Sequence, residues 1–143
     1  ILALEARKDY ANPRYEQLLT YNYYNEHILR MPPEQWPEPV VRGFKHLNYP
    51  VYTLMQGPSE MGASGVLEHW DRSKDIHLIT VPTLVIGAEH DTMDPKHMEW
   101  MSKQIPHARF LLCHGGHIAQ FDDPQTYFPG LIGFIRDVDA GRF

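Results

Sequence analysis

The acidic cluster closing V-P-T-L-V-I-G-A-E-H-D (81–91) and the histidine pair of L-L-C-H-G-G-H (111–117) supply the residue types of a proton-transfer site. A carboxylate beside one imidazole nitrogen fixes the ring's tautomer and stabilises its charged form, leaving the other nitrogen to act as a base. Asp91 is the first choice for that carboxylate, with Asp94 and Glu89 in competition. Asp94 stands directly before Pro95, where its simplest task is to cap a helix. His117 is the first choice for the imidazole, because Gly115-Gly116 permits a tight turn that lifts the ring clear of the apolar run before it. His114 then reads as a surface or supporting residue, and His90 as lying outside the reacting pair. Zinc is the other chemistry open to His90, Asp91, His114 and His117. No H-E-x-x-H or paired Cys/His spacing supports it, and nine histidines make chance clustering easy; no metal or organic cofactor is expected.

Two strands must deliver these side chains. The run 83–87 is short, apolar and rich in β-branched residues, as a buried strand is, and 109–113 reads as a second. Asp94-Pro95 opens a helix between them in which Met98, Met101 and Ile105 share a face. Asp123-Pro124 begins a last helical region to about Val138, which Pro129-Gly130 is expected to break or restart. Strand, helix, strand, helix is the pattern of a parallel sheet covered by helices. Neighbouring parallel strands lie about 4.8 Å apart and open at their carboxyl ends onto one edge, where α/β folds bind ligands. One helical crossover is all that separates Asp91 from His117 in sequence.

The first half, to about Ser73, reads as helices and loops. Asn12-Pro13 is a helix start, and Tyr15, Leu18, Leu19, Tyr23 and Ile28 form a rough stripe up to Arg30. M-P-P-E-Q-W-P-E-P ends that helix; Val40, Val41, Phe44 and Leu47 suggest a short second one, and Gly57-Pro58-Ser59-Glu60 a loop. The chain of 143 residues is 43% hydrophobic and 22% charged with a net charge of −5, which excludes the basic stripe of an electrostatic nucleic-acid binder. No run approaches the roughly 20 apolar residues of a membrane span, so no membrane partner is expected. Cys113 is the only cysteine and forms no internal disulfide.

An acid and a histidine need a nucleophile, and no G-x-S-x-G elbow is present. The nearest approach, Gly62-Ala63-Ser64-Gly65, has the wrong spacing and follows no apolar strand. In the nucleophile–acid–histidine order the serine falls upstream of Asp91. The chain opens at Ile1 without a methionine, and a preceding segment carrying the serine is expected; these residues alone are expected to be inactive.

G-A-E-H-D-T-M-D-P (87–95) and G-G-H-I-A-Q-F-D-D-P (115–124) resemble the acid and histidine segments of α/β-hydrolases. Y-T-L-M-Q-G-P-S-E-M (52–61) with L-E-H-W-D-R-S (67–73), and Y-Y-N-E-H-I-L-R-M with W-P-E-P (23–39), resemble the cap of proline iminopeptidases. The resemblance implies an α/β fold: a helical cap segment over 1–75, then the last parallel strands and helices of an α/β-hydrolase core over 76–143. It implies a serine aminopeptidase releasing an N-terminal residue, most readily proline, from small peptides. Asp91 would be the triad acid, His117 the base, and Glu60 and Glu26 carboxylates that bind the substrate's free amine. The missing N-terminal half of the same enzyme would be its partner. Tyr23, Tyr24, Trp36, Tyr52 and Trp70 are candidates for an apolar pocket taking the proline ring, with simple core packing as the alternative. The rival readings are an amino-acid amidase or esterase on the same scaffold and a non-catalytic ligand-binding domain. The cytoplasm is the expected compartment, with the periplasm and secretion as alternatives.

Overall fold

A computed structural model of the chain describes residues 1–143, which divide into two compact units, Ile1–Trp70 and Asp71–Phe143. The regular elements of the first are all helices. After the short α1 (Leu2–Glu5), Asn12 accepts the Arg14 amide and Pro13 starts α2 (Pro13–Leu19). Pro costs nothing there because its missing N–H would have had no helical partner. The rod continues without a gap through a π-helical turn, Thr20–Tyr24, into α3 (Asn25–His27). Tyr15 and Leu19 on one face of α2 close over Leu4 to form this unit's core, with Ile1, Leu18 and Tyr24 packed around it.

The rod ends at His27, short of the expected Arg30, and after the proline-dense stretch α4 follows (Glu38–Lys45). Leu47 falls beyond it. A helix that the hydrophobic spacing did not suggest, α5 (Tyr49–Met55), starts on an Asn48 cap with Pro50 in its first turn. Its last carbonyls are closed by the loop beyond it: Val66 and Leu67 donate to Leu54 and Met55, and Ser64 and Gly65 to Gln56. A side chain at Gly65 would overlap the Leu54 and Met55 carbonyls, so the closure needs a bare Cα at this position.

The second unit is built on two parallel strands, β1 (Thr83–Ala88) and β2 (Ala108–Cys113), paired in register from Thr83 with Ala108 to Ala88 with Cys113. Helix α6 (Pro95–Gln104) makes the crossover, and Asp94 caps it by accepting the Lys96 amide at 2.9 Å. Gly87 lets α6 press close to β1, since a Cβ there would stand 3.3 Å from both Met98 and Phe110. The core gathers at the carboxyl ends of the strands, where Ala88, Cys113 and Ala119 pack with Ile86, Leu111 and Tyr127. Burial pushes the Cys113 thiol up to about 11, so it behaves as a small apolar group.

The final segment departs from expectation. After a short α7 (Ala119–Asp122), α8 runs unbroken from Pro124 to Asp139 with Pro129 inside it. Pro129 removes one helical hydrogen bond, but contacts on the sheet hold the rod together. Gly130 lies so close to Leu111 of β2 that a Cβ would overlap it. The Pro-Gly pair is therefore a close-approach point within a helix, and not its end. No helix is long and apolar enough to cross a membrane.

Candidate functional site

The acid and the histidine meet where the sheet ends. Beyond the last register pair the ladder continues into both loops, with Glu89 N–H donating to the Cys113 carbonyl at 2.9 Å and His90 N–H to Gly115 at 3.2 Å. Asp91 and His117 thus sit on two loops already tied together. His117 Nδ1 lies 2.8 Å from Asp91 Oδ1. The Asp91 side chain is nearly buried at 7% exposure while the imidazole is 39% exposed, so the acid is enclosed and the ring faces outward.

The protonation states follow from the carboxylate's surroundings. Burial is the largest single influence on Asp91 and pushes its carboxyl up. The His117 hydrogen bond, the Met93 amide, the His117 charge and the Thr92 hydroxyl together outweigh it, and the net displacement is downward. An ionised Asp91 only accepts, so Nδ1 must carry the shared hydrogen. In the neutral ring the lone pair then belongs to Nε2, which is the state of a general base.

The competing carboxylates are occupied elsewhere. Asp94 caps α6, and Glu89 Oε1 lies 3.0 Å from His114 Nδ1 in an exposed pair. His114 is a surface residue, as its place before the double glycine suggested. No group of three or more ligand-type residues is arranged to hold a metal ion.

Sequence reasoning missed what holds the histidine loop. His114 N–H donates to Asp123 Oδ2 at 2.8 Å, and Gly116 N–H to Asp122 Oδ2 at 2.9 Å. Asp123 Oδ1 also accepts from the Thr126 amide at the start of α8. The His114 amide is the largest influence on Asp123, and with Thr126 it lowers that carboxyl. Two adjacent acids before a proline were the available signal.

In the first unit, Glu60 is held by tyrosines. Tyr52 donates to Glu60 Oε1 at 2.5 Å, Tyr23 to the Glu60 carbonyl at 3.0 Å, and the Glu60 amide donates to Tyr24. Burial, the Glu60 hydrogen bond and its charge push Tyr52 well above the usual phenol range, and burial foremost pushes Tyr24 up to about 12. Both phenols stay neutral at physiological pH. Tyr15, buried and raised likewise, donates to Glu5 at 2.8 Å and accepts from Ser59, so four tyrosines fasten Ser59-Glu60. Glu26 is exposed on α3.

A cavity of about 780 Å³ opens in the same unit, lined by Tyr10, Tyr15, Tyr24, Trp36, Phe44 and Tyr49 among others. Tyr24 and Trp36 both stack on Phe44, with ring centroids 5.8 and 5.6 Å away. Of the five aromatics expected to gather, only Tyr24 and Trp36 line this cavity. Tyr23 and Tyr52 serve Glu60 instead, and Trp70 is 66% exposed.

No family model matches the sequence. The chain is 51% identical, over its whole length, to a proline iminopeptidase of Elizabethkingia meningoseptica, of which it covers 48%. It is 51% identical over 95% of its length to a proline iminopeptidase of Flavobacterium johnsoniae, covering 46%. Among solved structures, proline iminopeptidase from Mycobacterium smegmatis matches 99% of the chain with a TM-score of 0.80 at 26% identity, and the chain covers 47% of it. VinJ matches 95% with a TM-score of 0.86 at 26% identity, with 46% covered. The chain spans about half the length of the relatives it matches. These neighbours are α/β-hydrolases, and the two-strand unit is part of that fold.

Proposed function

The chain belongs to the proline iminopeptidase family of α/β-hydrolases, and from that premise we propose that it supplies the acid and base of a serine aminopeptidase acting on small peptides, with N-terminal proline preferred. The observation that carries this reading is the 2.8 Å contact between His117 Nδ1 and a buried, ionised Asp91. The serine lies on a segment outside these residues, in the half of the relatives' length that the chain does not span.

In the proposed cycle His117 Nε2 takes the serine proton as the oxygen attacks the scissile carbonyl. Asp91 stabilises the imidazolium that results. His117 then gives the proton to the departing amine, and water, deprotonated by the same ring, releases the acyl group. No step calls on a metal or an organic cofactor.

Glu60 is the proposed amine-binding group, carried by a helical cap of which the first unit is part. Tyr52 occupies Oε1, and a carboxylate accepts more hydrogen bonds than one phenol supplies. A substrate ammonium or secondary amine would complete it with a charge-assisted bond. A blocked N-terminus would leave the carboxylate short of a partner, so the site discriminates by penalty. Glu26 remains proposed as a second amine ligand. The expected compartment is the cytoplasm, which fractionation of the source cells would check.

Hydrolysis of aminoacyl arylamides by the full-length protein, free and N-acetylated, tests the assignment. Proline arylamide is expected to be cleaved fastest, its acetylated form to be refused, and His117→Ala to abolish turnover. Equal turnover of acetylated substrates would replace the aminopeptidase reading with an amidase or esterase. Unchanged turnover in His117→Ala would remove the histidine from the chemistry.

A further inference from the structure

His117 is not part of β2; three residues separate it from the last strand position, Cys113, so something other than the ladder must hold its ring against Asp91. The backbone of 114–116 is tethered residue by residue. His114 N–H is taken by Asp123, the Gly115 carbonyl by His90 N–H, and Gly116 N–H by Asp122. The Asp122 tether stands nearest the imidazole, one residue before it. Its carboxylate lies against the Cα of Gly115, where a Cβ would overlap it. Gly115 and Gly116 are both buried there. The double glycine is therefore explained by more than a turn: it makes room for an acid that arrives from α7.

We propose that Asp122 is a positioning residue for His117. By accepting the Gly116 amide over the bare Cα of Gly115, it sets the exit direction of the loop and so the reach of the ring to Asp91. It touches no substrate and transfers no proton. Its effect on turnover rests on the aminopeptidase reading above; its effect on the ring does not.

Misplacing a catalytic group by about 1 Å is enough to cost on the order of 10²-fold in rate. In the full-length protein Asp122→Ala is expected to lower kcat on proline arylamide by about that factor with KM within about twofold. Asp122→Asn keeps an acceptor oxygen and is expected to stay within about fivefold of the parent. The low-field proton resonance of the His117 Nδ1–H to Asp91 bond gives a readout without substrate. It is expected to broaden or vanish in Asp122→Ala and to persist in Asp122→Asn. Asp122→Ala that keeps both its resonance and its kcat overturns the proposal, and so does Asp122→Asn that loses them. If Asp122→Ala fails to fold, Asp122→Asn decides alone by the same criterion. A parent protein that cleaves no aminoacyl substrate would sink the aminopeptidase reading, while the resonance would still decide the role of Asp122.

Discussion

Three carboxylates near one strand end have three different tasks, set by distance and burial. Asp91 holds His117, Asp94 caps α6, and Glu89 pairs with His114 at the surface. Replacing Asp91 with Asn would leave the ring in place but favour the wrong tautomer, and kcat is expected to fall on the order of 10⁴-fold. The same carboxyl contributes to stability with a definite sign. Its folded value lies below its usual 3.8, so its contribution is complete above that value and is lost as pH falls through the lower, folded one. Urea unfolding of the full-length protein is expected to show a stability difference between parent and Asp91→Asn that is constant near neutrality and shrinks below about pH 4. For Glu60→Gln, loss of a charge-assisted bond worth about 1.5–3 kcal/mol predicts a fall in kcat/KM on free-amine substrates of roughly 10- to 10²-fold. Little change is expected on acetylated ones. The pairing of positions 91 and 117 could be read from the chain, because a strand period and one crossover suffice to place them. The tyrosines on Glu60 could not, since the contacts from Tyr23 and Tyr24 cross long stretches of sequence that no local periodicity spans.

Element by element, the sequence was most legible where caps and prolines speak directly. Asn12-Pro13, Asp94-Pro95 and Asp123-Pro124 each open a helix. Asn48 with Pro50 carries the same signal for α5, which the search for an apolar stripe passed over because α5 buries no residue fully. The π-helical turn has no such signature; its extra residue shows only in the hydrogen bonding. Pro129 misled because the rule against proline in a helix concerns the isolated rod, whereas α8 is held by the sheet it crosses. Pro129→Ala restores the lost helical bond and is expected to stabilise the protein by about 2 kcal/mol, somewhat offset by a freer unfolded chain. Gly65→Ala is expected to cost about 1–3 kcal/mol, because the Cβ meets backbone carbonyls that have little freedom to yield. Thermal melts of both variants would check the two signs.

On the scale of the whole molecule, the residues described are about half of what the relatives contain, and apolar surface is left in view. Phe128, Ile132 and Ile135 repeat at helical spacing along α8 and are each 44–47% exposed. Each strand of the two-stranded sheet has an unpaired edge. The 143 residues alone are therefore expected to self-associate as concentration rises, and Ile132→Lys to weaken that association, as sedimentation would measure. In the full-length protein the same substitution is expected to reduce stability by at least about 1 kcal/mol if this face is covered there. The fold class could be read from the alternation of strands and helices; which apolar faces lack cover could not, because a stripe in sequence looks the same whether its counterpart is near or absent.

The amide of His90 reaching the carbonyl of Gly115 has a practical corollary for protein engineering. A designer wishing to graft this acid–base couple onto another scaffold cannot borrow one loop at a time, for each is the mould in which the other sets. The transplantable unit runs from the end of the first strand through the twin aspartates, and a recipient sheet must offer two adjacent parallel strands to accept it.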